Sequence, residues 1–119
     1  MSYSSLTGTV TLGVVAAPAS QLQIIAPATA VPGTPFDVTV EALDAYGNVD
    51  ANYGDIVTWT SSDTAPGVLL PADYMFQATD NGMVTFPAGV TLITPGNQTL
   101  TVTDTVSGIT GSATIMVGP

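Results

Sequence analysis

The chain has 119 residues with no lysine, arginine, histidine or cysteine, and nine acidic residues give it a formal charge of −9. The missing cations exclude side-chain ion pairs, phosphate-neutralising contacts with nucleic acid and electrostatic docking on anionic lipid. The missing cysteines exclude disulfides and thiolate metal sites, so the fold stands on packing alone, which a single domain of this length allows. A mean hydropathy of +0.44 beside only 8% charged residues calls for a dense core or for apolar surface covered by a neighbour. No apolar run approaches the roughly 20 residues that cross a bilayer as a helix, so no membrane insertion is expected.

Period-two alternation dominates the chain, and helical periodicity is absent. Thr9-Val10-Thr11-Leu12 alternates first, and residues 16–19 (Ala-Ala-Pro-Ala) read as a linker. Pro32-Gly33-Thr34-Pro35 is a turn signal before the alternating run at residues 36–42, and Ala45-Tyr46-Gly47-Asn48 is the turn signal after it. Residues 56–60 form the next run, in which Trp59 stands among threonines as the expected core anchor with Phe36, Val38 and Val40. Asp80-Asn81-Gly82 lies between two short strands, and Asn-Gly is a strong hairpin signal. Runs at residues 83–86, 90–92, 98–103 and 109–117 complete the set, with turns at Pro95-Gly96-Asn97 and Ser107-Gly108. Seven or more short Thr- and Val-rich strands separated by turns predict an all-β, two-sheet antiparallel sandwich of the immunoglobulin-like kind.

One internal echo stands out. Residues 6–14 and residues 109–117 share the pattern apolar-Thr-Gly-polar-apolar-Thr-apolar-x-Val. The chain therefore divides into an extra N-terminal strand with linker, residues 1–17, and a sandwich, residues 18–119. Three readings of the leading strand stand side by side: the last strand of a preceding repeat, an edge strand of its own domain, or a strand added to the next copy's sheet. In the last of these, Leu6, Val10, Leu12 and Val14 would be the assembly surface, polymerising the protein head to tail.

Residues that carry chemistry are few. Without histidine or lysine, acid–base work falls to carboxylates alone. No carboxylate pair stands in a local pattern of a glycosidase or an aspartic protease, so the chain is not expected to be an enzyme. Asp44, Asn48 and Asp50 offer hard oxygen ligands on one turn and are the candidate calcium site, although Asp and Asn also serve such turns through their own hydrogen bonds. No other cofactor is implied. Asn97-Gln98-Thr99 is an N-glycosylation sequon on a predicted turn. Tyr3, Tyr46, Tyr53 and Tyr74 would form a sugar-stacking platform if grouped on one face. The alternative packs Tyr46 against Tyr53 across the turn and sets Tyr74 at a sheet edge. Crowded carboxylates bind protons more readily in the folded state, so stability is expected to rise as pH falls into the carboxylate range.

Residues 32–40 (Pro-Gly-Thr-Pro-Phe-Asp-Val-Thr-Val), 43–49 (Leu-Asp-Ala-Tyr-Gly-Asn-Val) and 57–62 (Val-Thr-Trp-Thr-Ser-Ser) carry a family likeness. So do residues 71–76, 89–92 and 109–114. Over roughly residues 20–118 the chain resembles the bacterial immunoglobulin-like domains of the invasin and intimin type, repeated in large bacterial surface proteins. The resemblance implies the sandwich fold and a place outside the cell or on its surface. It also implies mechanical work as a repeat or subunit of a stalk, filament or adhesin, with copies of itself or neighbouring repeats as partners. A carbohydrate or host surface is a further possible partner. A carbohydrate-binding module and a calcium-rigidified adhesin spacer are the rival functions.

Overall fold

The computed structural model describes residues 18–118. The predicted leading strand, with Leu6, Val10, Leu12 and Val14, lies outside the described residues. Among the described residues there are eight strands: β1 (Gln21–Ile25), β2 (Thr29–Ala30), β3 (Phe36–Leu43), β4 (Ile56–Ser61), β5 (Tyr74–Met75), β6 (Met83–Val90), β7 (Gly96–Asp104) and β8 (Thr110–Val117). One 3-10 turn, Ala78–Asp80, precedes β6. The strands form a three-stranded sheet of order β1-β3-β6 and a five-stranded sheet of order β2-β8-β7-β4-β5. Every pairing is antiparallel except that of β2 with β8, which is parallel. The result is a sandwich-like all-β arrangement.

Alternation explains the core. Leu22 and Ile24 of β1 and Val38, Val40 and Ala42 of β3 point inward from one sheet. Val57 and Trp59 of β4, Leu100 and Val102 of β7, and Ile115 and Val117 of β8 meet them from the other. Val38 and Val40 are fully buried and Trp59 is 6% exposed, while Phe36 is half-buried at the margin of the core. Trp59 meets Phe86 of the opposite sheet edge-on at 5.7 Å, which makes it the anchor between the sheets. From Phe86 the edge-to-face contacts continue through Tyr74 and Phe76 to Tyr53, a chain of aromatic rings running inside the fold. Such pairs add roughly 1 kcal/mol each beyond area burial. The Trp59 indole N–H is buried and finds no hydrogen-bond partner among the described residues.

Three findings depart from the expected element map. First, β1, β2 and β5 are additional to the runs read from alternation. Second, Asn81 and Gly82 do not join a hairpin. Both have positive φ (54° and 81°), as the Asn-Gly signal requires. But they link β5 of one sheet to β6 of the other. The turn chemistry was right and the connection was not, because strand partners are chosen by packing beyond the turn. Gly82 is obligatory there, since a side chain would run into the Asp50 carbonyl. Third, the predicted runs at residues 83–86 and 90–92 merge: β6 continues to Val90 through an irregularity opposite residues 36–38. Ala88 turns to φ 49° there, and its N–H is held by Asp37 Oδ1 at 2.7 Å. With Pro87 beside it, this bulge disfavours strand addition at the edge of the three-stranded sheet.

The outer face of the five-stranded sheet is a ladder of hydroxyls. Thr58, Thr103 and Thr110 form one cross-strand row, and Thr60, Thr101 and Ser112 another. No acidic residue occupies this face of β4, β7 or β8. It is uncharged, with Met75 and Met116 exposed at its margins.

Candidate functional site

The strands run between two unlike poles. β3 spans the distance, roughly 25 Å at the usual rise per residue. At one pole the chain enters through Pro18 and Ala19, beside the loop of residues 44–55 and the β7–β8 turn. These segments rim a hollow of about 290 Å³ lined by Ala19, Asp50, Tyr53, Asp55, Asp104 and Ser107. At the other pole β8 ends, and a groove of about 380 Å³ opens between residues 29–31 and the start of β3.

The entry pole is acidic. Asp44, Asp50, Asp55, Asp80 and Asp104 all belong to it. In a chain without cations, each carboxylate must be satisfied by N–H or O–H donors. Asp44, 1% exposed, accepts the N–H groups of Tyr46 (2.8 Å) and Asn48 (2.9 Å) on Oδ1. Asp50 Oδ1 accepts the Asn52 N–H at 3.0 Å, and Oδ2 accepts the Ala19 N–H at 3.1 Å, tying the incoming chain to the loop. Asp80 Oδ2 accepts the Tyr74 hydroxyl (2.7 Å) and the Gln77 N–H (2.8 Å). Asp104, also 1% exposed, accepts the Tyr53 hydroxyl at 2.6 Å and the N–H groups of Val106 (2.7 Å) and Ser107 (3.0 Å). Burial alone would raise the Asp104 carboxyl. The Tyr53 hydroxyl, the two amides and Asp55 outweigh it and hold the group at about 2. Its neighbour Asp55 is pushed up, first by the hydrogen bond to Asp104, then by desolvation and the Asp104 charge. The pair thus divides: Asp55 holds its proton more tightly than an ordinary carboxyl, and Asp104 less tightly. Tyr53 is raised well above an ordinary phenol by burial and then by its bond to Asp104.

This arrangement fastens loops. Asp44 and Asp50 each serve their own turn, and Asn48 directs its N–H and side-chain amide toward Asp44. Among the described residues, no group of three or more acidic side chains is arranged to hold a metal ion. Tyr3 lies outside the described residues, and the other three tyrosines do not share a face. Tyr53 is buried in the aromatic chain, and Tyr74 lies on edge strand β5, packed on Phe76 and Phe86. Tyr46, 85% exposed, stands in solvent at the tip of its loop, so it does not pack on Tyr53. Asn97 is exposed, but on β7 opposite Met116 rather than on a turn, because pairing with β8 carries the strand back to Gly96.

The groove pole has one ionised anchor. Asp63, 4% exposed, accepts the N–H groups of Ala65 (3.1 Å), Ile93 (2.8 Å) and Thr94 (2.8 Å) and the Thr94 hydroxyl (2.9 Å). Burial opposes its ionisation, but these four donors prevail and hold it at about 2. By local sequence Asp63 and Asp104 are ordinary turn and strand-end residues. The donors of Asp63 lie about thirty residues away, so no local pattern could have disclosed them.

Four large apolar side chains are left uncovered, of which sequence reading had singled out only Tyr46. Tyr46 (85% exposed) and Val106 (72%) project at the acidic pole, and Val31 (64%) and Leu69 (62%) at the groove pole. Val106 was legible: a large apolar residue at the tip of a Thr-Val-Ser-Gly turn has no core to face. None of the known protein-family models matches the chain, and comparison with curated proteins finds no significant relative.

Proposed function

We propose that this chain is a non-catalytic, immunoglobulin-like structural module of an extracellular surface assembly, working as one repeat of a stalk or as a filament subunit. The observation that carries the reading is where the chain enters and leaves the sandwich. Pro18 and Ala19 line the acidic hollow, and Gly118 lines the groove at the far end of β8. Copies joined or stacked in series would extend as a rod without folding back.

The strand order supports the immunoglobulin-like part of the reading. β1 pairs with β3 in one sheet, and the chain then crosses so that β2 runs parallel to β8 in the other. The leader supports the repeat. Gly111 of β8 packs so closely on the Leu22 backbone that a side chain there would collide with its carbonyl. Gly8 holds the equivalent place in the echo at residues 6–14. A strand that keeps this glycine is suited to the β8 position of a similar module, whether in a preceding repeat or in another copy.

The test is solution mass by light scattering over a concentration series, on the full chain and on a version beginning at residue 16. Larger species from the full chain alone make the leader a polymerisation strand. Monomers from both make the module one bead of a covalent array. Retention on polysaccharide by a strictly monomeric chain would overturn the structural reading in favour of a sugar-binding module.

A further inference from the structure

We infer that the two poles are complementary interaction surfaces, so that the apolar loop tips of the acidic pole of one copy seat in the groove of a second copy. The inference rests on the structural reading above and names the surface through which it operates.

The first observation is where apolar surface is left uncovered. The four most exposed large apolar side chains, Tyr46, Val106, Val31 and Leu69, all sit at the poles, two at each. The middle of the broad face of the five-stranded sheet carries Thr58, Thr60, Thr101, Thr103, Thr110 and Ser112 instead, with the less exposed Met75 and Met116 at its margins. A hydrated hydroxyl face gains little from being covered, whereas exposed apolar tips do. Contact is therefore favoured end to end rather than side to side.

The second observation is shape. Tyr46 and Val106 stand on turns that project, the first at residues 44–48 and the second at residues 104–108. Both turns are stiffened from within. Asp44 holds the first and Asp104 the second through N–H donors, and Gly47 (φ 84°) and Gly108 (φ 83°) take the left-handed conformation each turn requires. The opposite pole offers a concavity of about 380 Å³ formed by Thr29, Ala30, Val31, Pro35, Phe36 and Gly118. Preorganised tips meeting a preformed groove lose little conformational entropy on docking.

The third observation is charge. Five of the nine acids, Asp44, Asp50, Asp55, Asp80 and Asp104, belong to the tip-bearing pole, whereas no ionisable side chain lines the groove. Two acidic poles facing each other would repel, with no cation in either copy to compensate. An acidic pole against the groove avoids that repulsion. The contact is heterologous, so it propagates as an open chain of copies rather than closing as a dimer.

The absence of cysteine permits a clean test on the full chain. Val31→Cys and Val106→Cys are made separately, and Met83→Cys, on the β6 flank, serves as the control. Melting temperature confirms that each variant folds. Mixed under mild oxidation, Val31→Cys and Val106→Cys should give heterodimer in roughly tenfold excess over either homodimer, the ratio that 1.4 kcal/mol of complementary contact provides. Neither should pair preferentially with Met83→Cys. A chain bearing both substitutions should give a disulfide-linked ladder. Statistical pairing, or a Val31→Cys homodimer in excess, would overturn the inference. If light scattering shows association while pairing is statistical, the structural reading survives and this interface does not.

Discussion

The two poles meet the same chemical constraint in different ways. At the acidic pole, four loop and strand-end carboxylates, those of Asp44, Asp50, Asp55 and Asp104, share the fastening of the entering chain, the residue 44–55 loop and the β7–β8 turn. At the groove pole Asp63 alone accepts four donors and ties residue 65 to residues 93 and 94. Many weakly redundant anchors crowd negative charge and push Asp55 and Asp104 apart in proton affinity. One saturated anchor, turned inward, leaves the groove lining itself without an ionisable side chain, with Asp37 exposed beside it on β3.

The largest test of this contrast is Asp63→Ala. It orphans donors on Ala65, Ile93 and Thr94 and should cost about 4 kcal/mol in urea unfolding, a sum of a few buried unsatisfied groups. A loss under about 1 kcal/mol would show that this pole is not carried by one residue. Next comes Gly111→Ala, which drives a Cβ into the Leu22 carbonyl and pushes β1 from β8. About 2–3 kcal/mol is expected, with hydrogen-exchange protection lost first in β1. Unchanged protection there would mean that β1 is not seated on β8.

Acidification separates the carboxylates by sign. Asp63 and Asp104, held at about 2, stabilise the fold above the ordinary carboxylate value, and that contribution is lost as pH falls toward about 2. Asp55, raised by Asp104, stabilises below the ordinary value and loses its contribution as pH rises through its own raised value. Like-charge repulsion acts in the same direction as Asp55. The melting temperature should therefore peak near pH 4, about the ordinary carboxylate value, and fall on both sides, more steeply on the acid side. A monotonic rise from pH 2 to pH 7 would remove the Asp55–Asp104 pair from this account. The smallest effect belongs to Tyr53→Phe. Asp104 keeps its amide donors from Val106 and Ser107, so about 1 kcal/mol should be lost. A loss as large as that of Asp63→Ala would mean that the acidic pole has no redundancy.

What the sequence determined by itself was local. Alternation at residues 36–42 and 56–60 set β3 and β4 with the correct faces inward, because a strand displays its side chains with a period of two. The loss of every cation dictated that carboxylates be satisfied by N–H and O–H groups, and the turns after Asp44 and Asp104, each with a later glycine, were legible as such. The element β1 was partly legible: Gln21-Leu22-Gln23-Ile24 alternates, but five residues ending before Ala-Pro-Ala become a strand only by pairing with β3. Tertiary structure decided what depends on distant partners. It placed Asn81-Gly82 at a crossing between sheets, linked five aromatic rings from separate segments, brought Ile93 and Thr94 to Asp63, and set Asp55 beside Asp104. These outcomes depend on which sheet receives each strand, and long-range packing settles that where turn and strand propensities are silent.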